Sequence, residues 1–219
     1  MPTVRAEFVG CMEDVLDLDA EPSDPPRPTI NFDETNNQLI AQTRPPLPGP
    51  PGPPPRSDYE YPRHGTRNLL GVVQPQAGWR HPAVTERRTQ QDFAHPMKWL
   101  VDEPCPAAAV IGVVMDPWNP HQPAALSEAF APKETRRMLK RLEFHYTPKP
   151  GRWLNMAAIE LSVLRRPCLD RRIPDEDPLK REVKAYEDSR NAAHATIDWR
   201  FTTSEARVKL HRLYPSIPD

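Results

Sequence analysis

The sequence predicts an α/β protein, a mixed sheet flanked by helices. Three observations lead there. Residues 110–121 read VIGVVMDPWNPH, an unbroken apolar run that ends in Asp116 and is closed by Pro117 and Pro120. A short continuous apolar run bounded by turn formers is the pattern of a strand buried on both faces. Residues 29–33, TINFD, form a second strand pattern that also ends on an acid, Asp33. Around these two runs, strands come first, then a helix, a strand, helices, a strand and more helix.

Taken in order, residues 1–28 form an acidic N-terminal arm broken by Pro22, Pro25, Pro26 and Pro28. Within it, residues 4–18 place Phe8, Met12, Val15 and Leu16 at helical spacing. Residues 29–217 read as one domain. Its first strand, 29–33, takes 38–43 as a hairpin partner. Residues 44–56, RPPLPGPPGPPPR, are a polyproline II insertion that lacks the donors for a helix or a central strand. It is either a stiff surface loop or a ligand for an aromatic groove. Residues 59–63, 68–74 and 79–85 read as antiparallel strands, with Gly78 in the last turn. Residues 89–101 read as a helix capped by Thr89 and kinked or broken at Pro96. The strand over 108–115 follows, then helices over 123–130 and 133–142 and a strand over 144–147. Helices are expected over 153–165, 178–193 and 203–213, with an extended piece at 197–201. Thr202 or Thr203 caps the last helix, with Glu205 in its first turn. This order, with acids at two strand ends, fits a ribonuclease-H-like fold.

Composition narrows the class. The chain has 219 residues, of which 30 are proline, about 14% against a usual share near 5%. Cys11, Cys105 and Cys168 are too few and too scattered for a disulfide framework or a zinc site. The longest apolar run, 107–115, is too short to cross a bilayer, so no membrane partner is expected and the location read is cytoplasmic, with the nucleoid. Charge is uneven. Residues 1–130 carry 10 Lys and Arg against 17 Asp and Glu, and residues 131–219 carry 19 against 13. The basic half suits a phosphate backbone, or it is a set of solvated helix faces.

Phosphodiester chemistry uses hard divalent cations that activate a nucleophile and stabilise the leaving oxygen. Mg²⁺ takes oxygen ligands, which carboxylates on strand ends can supply. Asp33 and Asp116 are the acids in such positions, although Asp116 also suits the first position of a turn. His81, His121 and His145 read first as hydrogen-bonded structure, with His121 the best placed of them to touch DNA. Trp153 reads as a core anchor at a helix start, with a base-stacking platform as the alternative.

A family resemblance rests on many short motifs. They are Phe32-Asp33-Glu34-Thr35 with Gln38-Leu39-Ile40-Ala41, Tyr59-Glu60-Tyr61, Gly78-Trp79-Arg80-His81, Met115-Asp116 with Asn119 and His121, and Phe144-His145-Tyr146-Thr147-Pro148-Lys149. Further on come Trp153-Leu154-Asn155-Met156-Ala157, Cys168-Leu169-Asp170-Arg171-Arg172-Ile173-Pro174 and Asp198-Trp199-Arg200-Phe201-Thr202-Thr203. In this order they resemble the catalytic domain of bacterial insertion-sequence transposases of the IS-six-thirty group, DDE-type relatives of the mariner elements. The resemblance implies a ribonuclease-H-like fold, Mg²⁺ or Mn²⁺ as cofactor, and DNA as partner, both transposon ends and target. A homodimer is its open assembly reading. It makes Asp33 and Asp116 metal ligands and catalytic acids, and with DNA as the partner His121, Lys149, Arg152, Arg171 and Arg172 are read as DNA contacts.

The departures from the family pattern are as informative. Trp-Leu-Asn-Met-Ala is followed in the family by the third catalytic acid, and here that residue is Ala158. Glu160 is the nearest replacement and is carried as a third candidate acid. At about 100° per residue, it projects some 200° away from position 158 and needs a register shift to serve. Pro117, Trp118, Pro120, Pro150 and Arg152 replace the residues usual near the site, and the family's helix-turn-helix segment is not found ahead of the domain. The functional expectation is therefore a truncated, degenerate transposase catalytic domain. The alternatives are a non-catalytic DNA-binding remnant and a proline-rich adaptor ligand.

Overall fold

The computed structural model describes residues 6–44, 59–117 and 122–215. A five-stranded sheet has the order β3-β2-β1-β4-β5. Its strands are β1 (Thr29–Ile40), β2 (Arg63–Gln74), β3 (Trp79–Thr85), β4 (Ile111–Met115) and β5 (Leu142–Tyr146). β1, β2 and β3 pair antiparallel, whereas β4 runs parallel to β1 and β5 parallel to β4. The helices are α1 (Ala6–Ala20), α2 (Gln90–Asp102), α3 (Pro123–Ala129), α4 (Pro132–Leu139), α5 (Met156–Leu164), α6 (Glu176–Ala192) and α7 (Thr203–Lys209). This is the expected ribonuclease-H-like arrangement, a mixed sheet with helices on both faces.

Side-chain alternation divides the core between those faces. Ile30, Phe32, Leu70, Val72, Ile111, Val113 and Met115 meet the apolar stripes of α2, α3 and α4. Leu39 and Leu69 point the other way, toward α5 and α6. Val114 also points that way, into a cluster with Met12, Val15 and Leu16 of α1. β4 is thus apolar at every position because both of its faces are covered.

Several expected boundaries move, each for a physical reason. The hairpin between 29–33 and 38–43 does not form. β1 runs straight through Asn36 and Asn37, because β2 pairs with it from Asn31↔Val73 to Gln38↔Thr66. Cross-strand hydrogen bonds outweigh the turn preference of two asparagines. Residues 59–62 are not strand, and Tyr59 is 85% exposed. Pro96 does not break α2. A reciprocal Thr89–Asp92 capping box holds its start, and Phe93, Ala94, Met97, Leu100 and Val101 bury its inner face. The helix expected over 133–142 stops at Leu139, and Leu142 joins β5. Residues 153–165 begin as a single 3₁₀ turn, and α5 proper starts after its cap, Asn155. The last helix ends at Lys209 with Thr202 as its cap. All but Arg44 of the polyproline segment 44–56, with His121 and Trp118, lies outside the described residues. No helix among the described residues is long and apolar enough to cross a membrane.

One group in α1 opposes folding. Asp19 Oδ2 is buried and has no hydrogen-bond partner among the described residues. Burial pushes its carboxyl up to about 7. Because the folded value lies above the unfolded one, near 3.9, ionising Asp19 costs stability progressively from about pH 4 to pH 7, and fully above that. Asp19→Asn is therefore expected to stabilise the protein by about 4 kcal/mol at pH 8 and by little at pH 4. Thermal melts of both proteins across that range check it, and a gain that does not depend on pH contradicts it.

Candidate functional site

The register of two parallel strands builds the site. Thr29 pairs with Gly112, Ile30 with Val113 and Asn31 with Val114. The offset is constant, and two residues further on it brings Asp33 beside Asp116. Neighbouring strands lie about 4.8 Å apart, so the two carboxyl groups come close together although 83 positions separate them in sequence. β4 ends at Met115, and beyond it the two aspartates line one cavity of about 300 Å³ with Glu34, Arg88, Lys149 and Arg152. The same logic applies on the other side. Met115 pairs with Tyr146, so the following residues, Asp116 and Thr147, are neighbours. Thr147 Oγ1 donates to Asp116 Oδ1 at 2.7 Å.

Polar contacts to β1 anchor the start of α5 beside the cavity. Asn155 Nδ2 donates to the Phe32 carbonyl at 2.8 Å, and the Met156 amide donates to Asn31 Oδ1 at 3.0 Å. Asn155 Oδ1 meanwhile accepts from the Ala157 amide and caps the helix. This clamp sets Ala158 in a depression that it shares with Asp33, Thr35 and Arg152. Position 158 therefore shares this depression with Asp33, but it presents only a methyl group.

Glu160, expected as a substitute acid, is corrected to a structural residue. It lines neither the Asp33–Asp116 cavity nor the depression around Ala158. It points instead toward β3 and α6, where Arg80 Nε donates to Oε1 at 2.9 Å and Tyr186 Oη at 2.6 Å. Arg190 Nε lies 3.3 Å from the same oxygen. Burial pushes the Glu160 carboxyl up, but Tyr186, Arg190 and Arg80 outweigh it and hold the group below its ordinary value. The two-residue offset from position 158 turned it onto the opposite flank of the helix.

Arg152, expected to touch DNA, lies between the two aspartates. Its Nη2 donates to Asp33 Oδ2 at 2.9 Å and to the Glu34 carbonyl at 2.9 Å, and its Nε is 3.3 Å from the same Asp33 oxygen. Nε also sits 3.7 Å from Asp116 Oδ2. Asp33 is 3% exposed, and burial pushes its carboxyl up, with Arg152 pulling it down and Asp116 adding to the rise. Arg88 Nε lies 2.9 Å from Glu34 Oε1. Lys149 lines the cavity. Arg171 and Arg172 do not. Arg171 pairs with Glu182, and Arg172 donates to Gln42 and lies over the Tyr61 ring. His81 and His145 pair with Glu187 and Asp14, in keeping with their structural reading. Trp153 is 44% exposed and stacks on Trp199 at 6.3 Å, so it is a partly open platform rather than a core anchor.

Sequence reasoning missed Thr147, Glu34 and Arg88 as members of this cavity. Thr147 was accessible in principle, because a residue that follows a strand parallel to β4 must flank Asp116.

A pair of divalent cations does not fit these residues well. Metals of this class need several hard oxygen ligands, and no three His, Cys, Asp or Glu side chains among the described residues could share one. Ala158 supplies no oxygen, and a guanidinium lies between the two carboxylates.

Comparison with known proteins agrees with the fold. The family model described as "DDE superfamily endonuclease" matches residues 28–180. A search of the curated proteins finds no match. Among solved structures, the Mos1 mariner paired-end complex with Mn is similar at a TM-score of 0.57 and 13% identity, over 95% of this chain and 60% of that one. The Mos1 paired-end complex with left transposon end gives 0.53 and 11%, over 87% and 63%. The Mos1 strand transfer complex gives 0.51 and 12%, over 88% and 62%. The chain thus spans about three fifths of the Mos1 chains, and at such identities the likeness is one of fold. The family match covers more than half of the sequence, from the end of the acidic arm into α6, and with it the chain belongs to the DDE superfamily endonucleases.

Proposed function

We propose that this protein is a DNA-holding domain of transposase descent that no longer cuts strands. In its ancestry, Mg²⁺ or Mn²⁺ on Asp33, Asp116 and a third acid supported cleavage and strand transfer at the ends of a bacterial insertion sequence. The observation that carries the reading is Ala158. The clamp holds α5 beside β1 and the register aligns Asp33 with Asp116, yet Ala158, in the depression beside Asp33, has no carboxylate. Loss of the third carboxylate beside two aspartates still in register supports a reading of an abandoned reaction on a kept scaffold. Lys149 at the cavity, with Arg171 and Arg172 on the segment after α5, are the cations assigned to DNA, whereas Arg152 is engaged by Asp33. His121 joins them only by resemblance. Association with the nucleoid and pairing of two copies belong to the same proposal.

Phosphate contacts make such binding salt-dependent, with a slope in log K against log salt close to the number of phosphates neutralised. The test uses a linear duplex in a retardation assay at rising salt and supercoiled plasmid with Mn²⁺ in a nicking assay. Retardation that weakens steeply with salt, together with intact plasmid, is expected. Absence of retardation at low salt overturns DNA holding. Nicking by the protein that Asp33→Asn abolishes overturns the loss of cutting.

A further inference from the structure

The cavity at the strand ends contains its own positive charge. Asp33, Glu34 and Asp116 line it, and so do Arg88, Lys149 and Arg152. Three carboxylates are matched by three cations, so the cavity carries no excess negative charge to attract a divalent ion. The central cation is Arg152. Its planar fork makes three hydrogen bonds, two to Asp33 Oδ2 and one to the Glu34 carbonyl, and reaches Asp116 as well. A guanidinium is suited to this place. It keeps its charge at every accessible pH, is weakly hydrated, and matches carboxylate geometry in a way lysine does not.

The backbone presents Arg152 there by construction. Gly151 before it is packed so closely against Pro148 that a Cβ would lie 2.5 Å from the Pro148 carbonyl oxygen. Trp153 after it is held against Trp199 and Phe201, and Leu154 is fully buried. One residue further, Asn155 is tied to β1. The turn has little freedom to withdraw the arginine, although the side chain itself is 59% exposed at the mouth.

We propose that Arg152 is an internal counter-ion that occupies the place of a divalent cation between Asp33 and Asp116, and that neutralising it converts the cavity into a cation-binding site. This goes beyond the loss of the third acid. The charge at 152, and not only the missing carboxylate at 158, keeps a cation out of the pocket, so Ala158→Glu alone does not restore binding. The inference concerns cation occupancy and does not depend on whether the protein holds DNA.

The experiment titrates Mn²⁺ alone into the full chain and follows the free-ion signal by electron paramagnetic resonance, with thermal shift as a second readout. The unmodified protein and Ala158→Glu are expected to leave Mn²⁺ free at millimolar levels. Arg152→Ser is expected to bind one ion at least about ten-fold more tightly and to melt higher in its presence. Adding Asp33→Asn to Arg152→Ser is expected to remove both effects. Arg152→Gln, which keeps a donor toward Asp33 but no charge, gives the same comparison if the serine variant does not fold. Binding by the unmodified protein as tight as by the neutral variants, and lost with Asp33→Asn, overturns the proposal. So does a failure of both neutral variants to bind. Either outcome leaves the retardation assay unaffected, so loss of this inference is distinguishable from loss of DNA holding.

Discussion

Replacing Glu160 by alanine is expected to destabilise the fold by about 3–5 kcal/mol, the cost of leaving a buried charge without its partner. The Arg80 side chain is 1% exposed and the Glu160 side chain 5%. The arginine enters the sheet–helix interface from β3, and Glu160 on α5 is the carboxylate that meets it. Its other hydrogen bonds, to the carbonyls of Gly78, Arg190 and Ala195, satisfy donors but not charge. Removing the carboxylate also strands the Tyr186 hydroxyl, which donates to it. Three elements, β3, α5 and α6, therefore loosen together. Urea unfolding of the two proteins measures the difference. A loss below about 1 kcal/mol means that water reaches Arg80 and that the pair is in effect a surface one. If Glu160 acted as the third catalytic acid, its replacement would leave stability intact, so the same measurement separates the two roles.

The second large effect lies at the turn that delivers Arg80. Gly78 has φ of +66°, in the left-handed region where a Cβ meets its own backbone. A methyl group there would also lie 2.5 Å from the carbonyl carbon and oxygen of His194 and 3.1 Å from the Ala195 nitrogen. These are backbone atoms and cannot rotate aside. They belong to the segment after α6 whose Ala195 carbonyl accepts from Arg80. Gly78→Ala is therefore expected to cost about 3 kcal/mol or more, summing left-handed strain and overpacking. The contrast is Gly10, where a Cβ would meet nothing within reach. Because Gly78 and Glu160 act on the same arginine, their double variant is expected to lose less than the two losses added, and a cycle of unfolding measurements reads that coupling. Additive losses contradict a shared network.

Much of this architecture is legible in the sequence, and what is not has specific causes. The continuous apolar run of β4 and the alternation in β1 identify strands that cross the core, and the two acids they carry are visible at once. The convergence of Asp33 and Asp116 is not, because it rests on a register that only backbone pairing fixes. The hairpin expected inside β1 fails because Asn36 and Asn37 follow a local preference only where no partner strand competes. Pro96 was read from its own chemistry, whereas α2 is held by its capping box and its buried face. The motif assigns the third-acid position to Ala158, which lies in a depression with Asp33, and geometry explains why Glu160 does not reach it. Arg152 reads as a DNA contact in the sequence, whereas in the structure it bonds to Asp33. Its engagement with Asp33 depends on a turn fixed by Gly151, Trp153 and Asn155, which no spacing rule reveals.

A crystal of the unmodified protein soaked in MnCl₂, with anomalous differences recorded at the manganese edge, tests the account most directly. Its central claim is that a guanidinium, not a metal, sits between the aligned aspartates. The expected map has no anomalous peak between Asp33 and Asp116, with Arg152 still bonded to Asp33. A peak at metal–oxygen distance, about 2.1 Å, from both carboxylates, with Arg152 swung out to solvent, would contradict it.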